Sequence, residues 1–516
     1  MAALIFMPRR LLLWSLCLAY LVECEISVES EETTHQSNQQ SFFANEFKKD
    51  EETCHDPQKC KDVPLVESTK CWGYESRCST PDKWYKRPVC DDSSGWRHYS
   101  SNEEKVNSFW TEADFGYVKK FIDSTKDVCK SDKVNGGSLQ CSKELGYCTA
   151  NNLYMDLRKG TRTQNERFNP EMLAGFCDLD LAVLQDLGGH RMELTSWVAE
   201  IEKYQSIPYD PLSEGHCDVI IERPTFFMKL DAVVNMYHHF CDFFNLYATQ
   251  HVNGSFSTDV NIVLWEAYKR GGLGNFSPTW RVFTRHPLLY LGHDFAGKRV
   301  CFKHAIFSLL PRMVFGLFYN TPLTPGCSGS GLFKAFSNHL VKRLGIVQER
   351  NESDVDAPVR VTLLSRGTKY RDILNENELV EALSSHPAIS LKIAKFSWDV
   401  PFLDQIKVTH NTDVFLGMHG AGLTHALFLP DWAVLFELYN CDDPNCYKDL
   451  ARLRGVSYIT WEDKNKVIEK TEELHPEYSE HPKFRNYAFD AEEFMRLVTL
   501  AVTKVRENLK SHIQNT

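Results

Sequence analysis

Residues 359–509 carry the clearest alternation of apolar and polar positions in the chain. Apolar runs at Val359–Leu364, Ile389–Phe396, Val414–Leu416, Ala433–Leu438 and Ser457–Trp461 read as strands. Between them, Glu376–Leu383, Phe402–Thr409 and Tyr447–Leu453 place apolar residues at helical spacing, and a closing amphipathic helix is expected over about 491–509. Strand and helix alternating through short links predict a parallel sheet with helices on its faces. Right-handed crossovers then bring the C-terminal ends of the strands to one edge, where such sheets hold ligands. Upstream the pattern is less regular, with strand-like runs only at Asp218–Ile221 and Asn261–Trp265. One stretch there is strongly helical. Val233, Met236, Tyr237, Phe240, Phe243, Phe244 and Tyr247 fall on one face, and Asn235, His238, His239, Asp242 and Asn245 on the other.

Composition adds the compartment. The chain opens with Arg9-Arg10 and the apolar run Leu11–Val22, which is shorter than the ~20 residues a membrane span needs. A secretory signal peptide over 1–24 is the expectation, with an uncleaved anchor as the alternative. Residues 25–53 are polar and acidic and predict a disordered lead-in. Of the 17 cysteines, Cys17 and Cys24 fall in the leader, so the odd remainder requires at least one thiol outside any intrachain bond. Eight crowd 54–150 without a metal-binding C-x-x-C repeat, which predicts a disulfide-rich segment formed in an oxidising lumen. Asn253 and Asn351 head N-glycosylation sequons, and Asn275 heads a weaker one followed by Pro278. The net charge of −11, with no basic run, argues against nucleic acid as a partner. No later segment is apolar and long enough to span a bilayer.

Three clusters offer chemistry. In the first, the strand at Val414 runs into Gly417, Gly420 and Gly422 with His419 and His425, either a tight structural turn or a cradle for phosphate. In the second, Arg366 and Arg371 follow the Val359 strand and belong to the same sheet edge, where forked guanidinium bonds suit a diphosphate. Glu437, at the end of the next strand, could reach a sugar hydroxyl from that edge. In the third, the polar stripe of the 233–247 helix lacks the lysines and glutamates of a solvated face. His238 and Asp242 stand four residues apart and can touch, so Asp242, or a histidine that it orients, is the candidate general base. The two Asp-x-Asp strings, Asp178-Leu-Asp180 and Asp354-Val-Asp356, read as surface features.

Taken together, these clusters resemble the family 61 glycosyltransferases, over about residues 71–487. The strings that carry the resemblance are C-W-G-Y-E (Cys71–Glu75), A-D-F-G-Y (Ala113–Tyr117), F-M-K-L-D-A (Phe227–Ala232), M-Y-H-H-F-C-D-F (Met236–Phe243), F-S-L-L-P-R-M (Phe307–Met313) and G-M-H-G-A-G-L-T-H (Gly417–His425). The resemblance implies an α/β fold of GT-B type: two facing Rossmann-like domains, here 151–350 on the acceptor side and 355–516 on the nucleotide-sugar side. It implies inverting transfer of N-acetylglucosamine from UDP-GlcNAc to Ser/Thr hydroxyls of folded EGF modules, as in Notch-like proteins, within the endoplasmic reticulum lumen. By the same resemblance, Asp242 with His238 or His239 takes the hydroxyl proton. Arg366, Arg371, His419, Gly420, Ala421, Gly422, Leu423, His425 and Glu437 hold the donor. Two departures stand out. Close members carry an acidic Asp-x-Asp-like triplet for a divalent cation such as manganese, where this chain reads Arg285-His286-Pro287. The chain also lacks a Lys/His-Asp-Glu-Leu retention tail, which opens later compartments or secretion. The rival expectations are a catalytically silent binding protein on the same fold, and an O-mannose-directed sister enzyme that carries a further fibronectin-like domain.

Overall fold

The computed structural model describes Trp72, Tyr74 and residues 85–92, 98–159, 172–265, 273–312, 324, 326–441, 443, 445–470 and 481–515. The expected leader and lead-in, and Cys54, Cys60, Cys71 and Cys78, lie outside the described residues. All described residues belong to one compact unit, residues 62–516.

The C-terminal part is the five-stranded parallel sheet that the alternation predicts. Strands β7 (Val359–Leu364), β8 (Ile389–Ala394), β9 (Val414–Gly417), β10 (Val434–Glu437) and β11 (Ser457–Thr460) run in the order β8-β7-β9-β10-β11. Their register sets Ala394, Leu364, Gly417, Glu437 and Thr460 abreast, so one row of residues marks the C-terminal edge. Helices cover both faces. Leu379 and Leu383 of α3 (Glu376–Ser385) and Phe494, Val498, Ala501, Val505 and Leu509 of α6 (Ala491–Asn515) close one face over Val361, Leu416 and Phe436. Phe402 and Ile406 of α4 (Phe402–His410) and Tyr447 and Leu450 of α5 (Cys446–Arg454) close the other, over Phe415 and Leu435. Burial on both faces is why β9 and β10 are continuously apolar rather than alternating.

The other layer is a sheet of eleven strands. Its main path comprises β1 (Lys126–Lys130), β2 (Ser138–Cys141), β3 (Cys148–Asp156), β4 (Thr225–Met228), β5 (Asn261–Leu264) and β6 (Arg299–Phe307), in the order β5-β4-β6-β3-β2-β1. Leu289–Tyr290 lies beyond β5 and Asp178–Leu179 beyond β1. A Rossmann-like half would be parallel throughout, and this sheet is mixed. β5, β4 and β6 are parallel, whereas β6, β3, β2 and β1 pair antiparallel. The hairpin β2–β3 also carries the Cys141–Cys148 bond, so part of the cysteine-rich stretch is built into the sheet. Cys90–Cys327, Cys129–Cys177 and Cys217–Cys301 are bonded as well, in line with the disulfide expectation.

Helix α1 (Met236–Asn253) lies between the two layers. The side chain of Asn235 caps its N-terminus by accepting from the Tyr237 amide, and Gly254, in the left-handed region, ends it. Its apolar face meets α2 (Gly331–Arg343) through Phe244–Phe333 ring contact at 4.1 Å. Phe240 reaches Phe402 and Phe428 of the parallel-sheet layer at 5.8 and 5.6 Å. Residues 236–251 are all buried, so the polar stripe is enclosed along most of its length.

Candidate active site

At the C-terminal edge of the parallel sheet, Arg366 and Arg371 converge on one acceptor. Each donates from Nη1 to the His419 carbonyl at 3.2 Å. Among the described residues neither guanidinium has a carboxylate partner. Burial, and then the neighbouring Arg371, push the Arg366 guanidinium down to about 10. Two like charges sharing a neutral carbonyl are a place for an anion. The turn between β9 and the 3₁₀ segment Ala421–Phe428 makes room for them. Gly420 has φ +152, and a Cβ there would lie 2.1 Å from Arg366 Nη1. Gly422 lets the segment settle on β7, since a Cβ there would lie 2.8 Å from Leu364 Cδ2.

His419 is fixed from behind by Glu437. Its Nδ1 lies 2.7 Å from Glu437 Oε1, and the Tyr458 hydroxyl donates to the other carboxyl oxygen. Burial pushes Glu437 up to about 8, while burial and then Arg371 and Lys483 hold His419 well below its ordinary value. Both shifts favour a neutral pair with the proton on Glu437, which leaves the proton of His419 on Nε2. Both Glu437 oxygens are therefore committed to protein partners. The expectation that Glu437 reaches a sugar hydroxyl directly gives way to a supporting position behind His419. His425 turns inward beneath the turn: Nδ1 donates to the Gly422 carbonyl at 2.8 Å, and Phe396 packs on its ring at 4.5 Å. Burial lowers it to about 4. Ala421 and Leu423 belong to the turn itself, with Leu423 N–H donating to the Gly420 carbonyl.

The α1 residues divide. His238 and Asp242 do not pair with each other. His238 Nδ1 instead meets Asp231 Oδ2 at 2.8 Å, because the loop after β4 folds back over the first turn of the helix. Arg312, just after β6, grips the same carboxylate with Nε and Nη2 at 2.9 and 2.8 Å. Asp242 is wholly enclosed and takes the Asp231 amide on both oxygens at 3.3 Å. Burial, and then the Asp231 charge, push it well above the usual carboxylate range. His239 packs on Phe243 and Trp280 at 4.5 and 5.6 Å, its ring nitrogens without hydrogen bonds, and burial lowers it to about 3. Asp231 was given no chemical role from sequence. The available signal was a carboxylate closely following the buried strand Thr225–Met228, at a strand's C-terminal end.

The two clusters meet. Tyr237, beside His238, contacts Tyr447 at 5.9 Å, and Tyr447 contacts His419 at 5.1 Å. The N-terminal turn of α1 thus stands against the arginine edge of the parallel sheet.

Other expected positions lie away from this junction. Arg285 and His286 both bind Asp259, at 3.1 and 2.7 Å, together with Arg223 at 3.0 Å. Two guanidiniums and an imidazole around one carboxylate do not suit a divalent cation. Asp180 caps the helix Leu181–Leu187, and Asp354 accepts from the Ala357 amide in a turn. Asn351 is exposed; Asn253 accepts from the Tyr147 hydroxyl at 3.3 Å; Asn275 donates its side-chain nitrogen to the Val400 carbonyl at 3.2 Å.

The chain is similar to known proteins. Residues 302–436 match the family model described as Glycosyltransferase 61. An EGF domain-specific O-linked N-acetylglucosamine transferase of Gallus gallus is 51% identical over 453 residues, covering 86% of this chain and 83% of the relative. The protein of that description from Xenopus laevis is 51% identical, covering 88% and 86%, and that from Pan troglodytes is 48% identical, covering 91% and 89%.

Proposed function

Because the chain belongs to glycosyltransferase family 61, alongside the EGF domain-specific O-linked N-acetylglucosamine transferases, we propose that it moves N-acetylglucosamine from UDP-GlcNAc to Ser/Thr hydroxyls of folded EGF modules. The observation that carries the donor assignment is the pair Arg366 and Arg371, two guanidiniums under Gly420 without a carboxylate partner among the described residues. We assign them to the diphosphate. The His419 Nε2–H adds a neutral donor beside them, held by Glu437 and Tyr458. The two layers on either side of α1 support a GT-B type reading, with the acceptor entering on the side of the larger sheet.

In this reading the acceptor hydroxyl oxygen attacks the anomeric carbon from the face opposite the phosphate. The bond to the β-phosphate oxygen breaks, and UDP departs with the electron pair. Configuration inverts. The arginines neutralise the charge that develops on the leaving diphosphate. His238 accepts the hydroxyl proton, a role worth ~10²–10⁴-fold in rate. We favour His238 over Asp242 and His239. Burial favours the neutral acid at Asp242, and among the described residues the ring nitrogens of His239 make no hydrogen bond, whereas His238 Nδ1 meets the Asp231 carboxylate. Charge neutralisation of UDP is assigned wholly to protein groups, since Arg285 and His286 cannot take the place of a carboxylate pair for a divalent ion. The disulfides fit work in an oxidising lumen, which we take to be the endoplasmic reticulum.

The test is incubation of the purified protein with UDP-GlcNAc and a folded EGF module. UDP release and one added HexNAc by mass spectrometry are expected. Binding of the module without sugar transfer would instead favour the silent binding protein.

A further inference from the structure

The loop that follows β8 carries a tryptophan into solvent at the C-terminal edge of the parallel sheet. Trp398 is 79% exposed, whereas every other phenylalanine, tyrosine and tryptophan among the described residues is buried or half-buried. An indole left in water forgoes the burial that such a ring ordinarily supplies. Its backbone is nonetheless held firmly. The Val400 amide donates to the Ser397 carbonyl at 3.2 Å, so Trp398 and Asp399 are the two central residues of a tight turn. The side-chain nitrogen of Gln405, on α4, donates to the carbonyls of Ser397 and Val400 at 3.3 and 2.8 Å. Within the turn the Ser397 hydroxyl donates to Asp399. A large apolar ring is thus presented to water on a braced support.

The position of the turn says what the ring is for. Strands β7 and β8 end abreast, with the Ser365 amide donating to the Ala394 carbonyl at 2.9 Å, so Arg366 and Trp398 follow on neighbouring loops. On its other side, Asn275 of the larger-sheet layer donates to the Val400 carbonyl at 3.2 Å, and Phe276 packs on Phe402 at 5.1 Å. The turn therefore joins the donor edge to the layer assigned to the acceptor. We propose that Trp398 is a docking residue for the acceptor, its indole lying against an apolar patch on the folded EGF module. This rests on the glycosyltransferase reading above. A folded module cannot follow its own side chain into the cleft, so its contact with the enzyme falls on the loops at the rim. One tryptophan there can carry much of the binding, because it covers a large area and has few torsions to fix. Lys395 and Asp399, exposed on either side, frame it with polar groups. The contact acts on binding of the module and not on cleavage of the donor, whose seat lies under Gly420.

The experiment compares Trp398→Ala and Trp398→Tyr with the wild-type full chain, using UDP-GlcNAc and a folded EGF module. Trp398→Ala is expected to raise KM for the module roughly 10- to 30-fold, with kcat and the affinity for UDP within about twofold of wild type. Trp398→Tyr keeps an aromatic surface and is expected to lose less. The side chain lies in water, so neither substitution opens the core, and thermal unfolding checks that each variant is folded. An unchanged KM for the module overturns the proposal. An equal loss of UDP affinity moves Trp398 to the donor seat and overturns it too. Titration of the module onto the UDP-loaded chain keeps the two readings apart. A wild-type chain that binds the module without transferring sugar, and binds it more weakly after Trp398→Ala, overturns the transfer reading and upholds the docking residue. A wild-type chain that neither binds nor modifies the module overturns both.

Discussion

Gly420 is where one added methyl group would act most directly on the donor site. Its Cβ would displace Arg366 Nη1 and crowd Arg371 Nη1, 3.4 Å away, and its φ of +152 disfavours any side chain. Gly420→Ala is expected to weaken UDP binding at least ~10-fold, about 1.4 kcal/mol, in isothermal titration; unchanged affinity would show that the arginines do not need that space. The sequence made this turn legible because glycine requirements are local. The partner of His238 was not legible for the opposite reason. Helical spacing offered Asp242 four residues on, but the bond to Asp231 depends on how a loop folds back over the helix, which periodicity does not encode.

Helix α1 was read as amphipathic and is buried on every side. Its apolar face was read correctly. What spacing cannot show is that a second layer closes over the polar stripe, so enclosure replaces solvent there. Phe240 is the element's main tie between layers: it meets Phe243 and Phe276 as well as Phe402 and Phe428. Phe240→Ala is expected to cost ~3–5 kcal/mol in denaturant unfolding, and a loss below about 1 kcal/mol would show that the surrounding rings collapse into the space. The parallel sheet was legible strand by strand because each strand is a short apolar-rich run and each crossover is a helical segment. The larger sheet was not. Apart from the run β1–β2–β3 its strands are far apart in sequence, and strand direction in such a sheet is set by those distant pairings.

Across the molecule, buried titratable groups set a direction for pH stability. Burial lowers His239, His251, His339, His410, His419 and His425, and raises Asp114 to about 7, Glu437 to about 8 and Asp242. Below pH 6.5 the unfolded chain gains protons at the histidines that the folded chain refuses, so stability falls on acidification. The raised carboxyls act with the opposite sign: the fold retains protons that the unfolded chain has already lost, a contribution that fades as pH rises through 7 to 8. Between about 4.5 and 6.5 the two partly cancel, and below 4.5 the carboxyls cease to oppose. Each uncompensated proton is worth about 1.4 kcal/mol per pH unit. Melting temperature is expected to decline gently from pH 6.5 to about 4.5 and steeply below it; a curve that keeps rising into acid would contradict these burials. The paired arginines under Gly420 have one more consequence. If, as proposed, they hold the donor diphosphate, that group is present both before and after the sugar leaves, so spent nucleotide would compete with fresh donor for the same seat. On that proposal product inhibition is built into the site, and sustained turnover would depend on how quickly the surrounding compartment clears UDP.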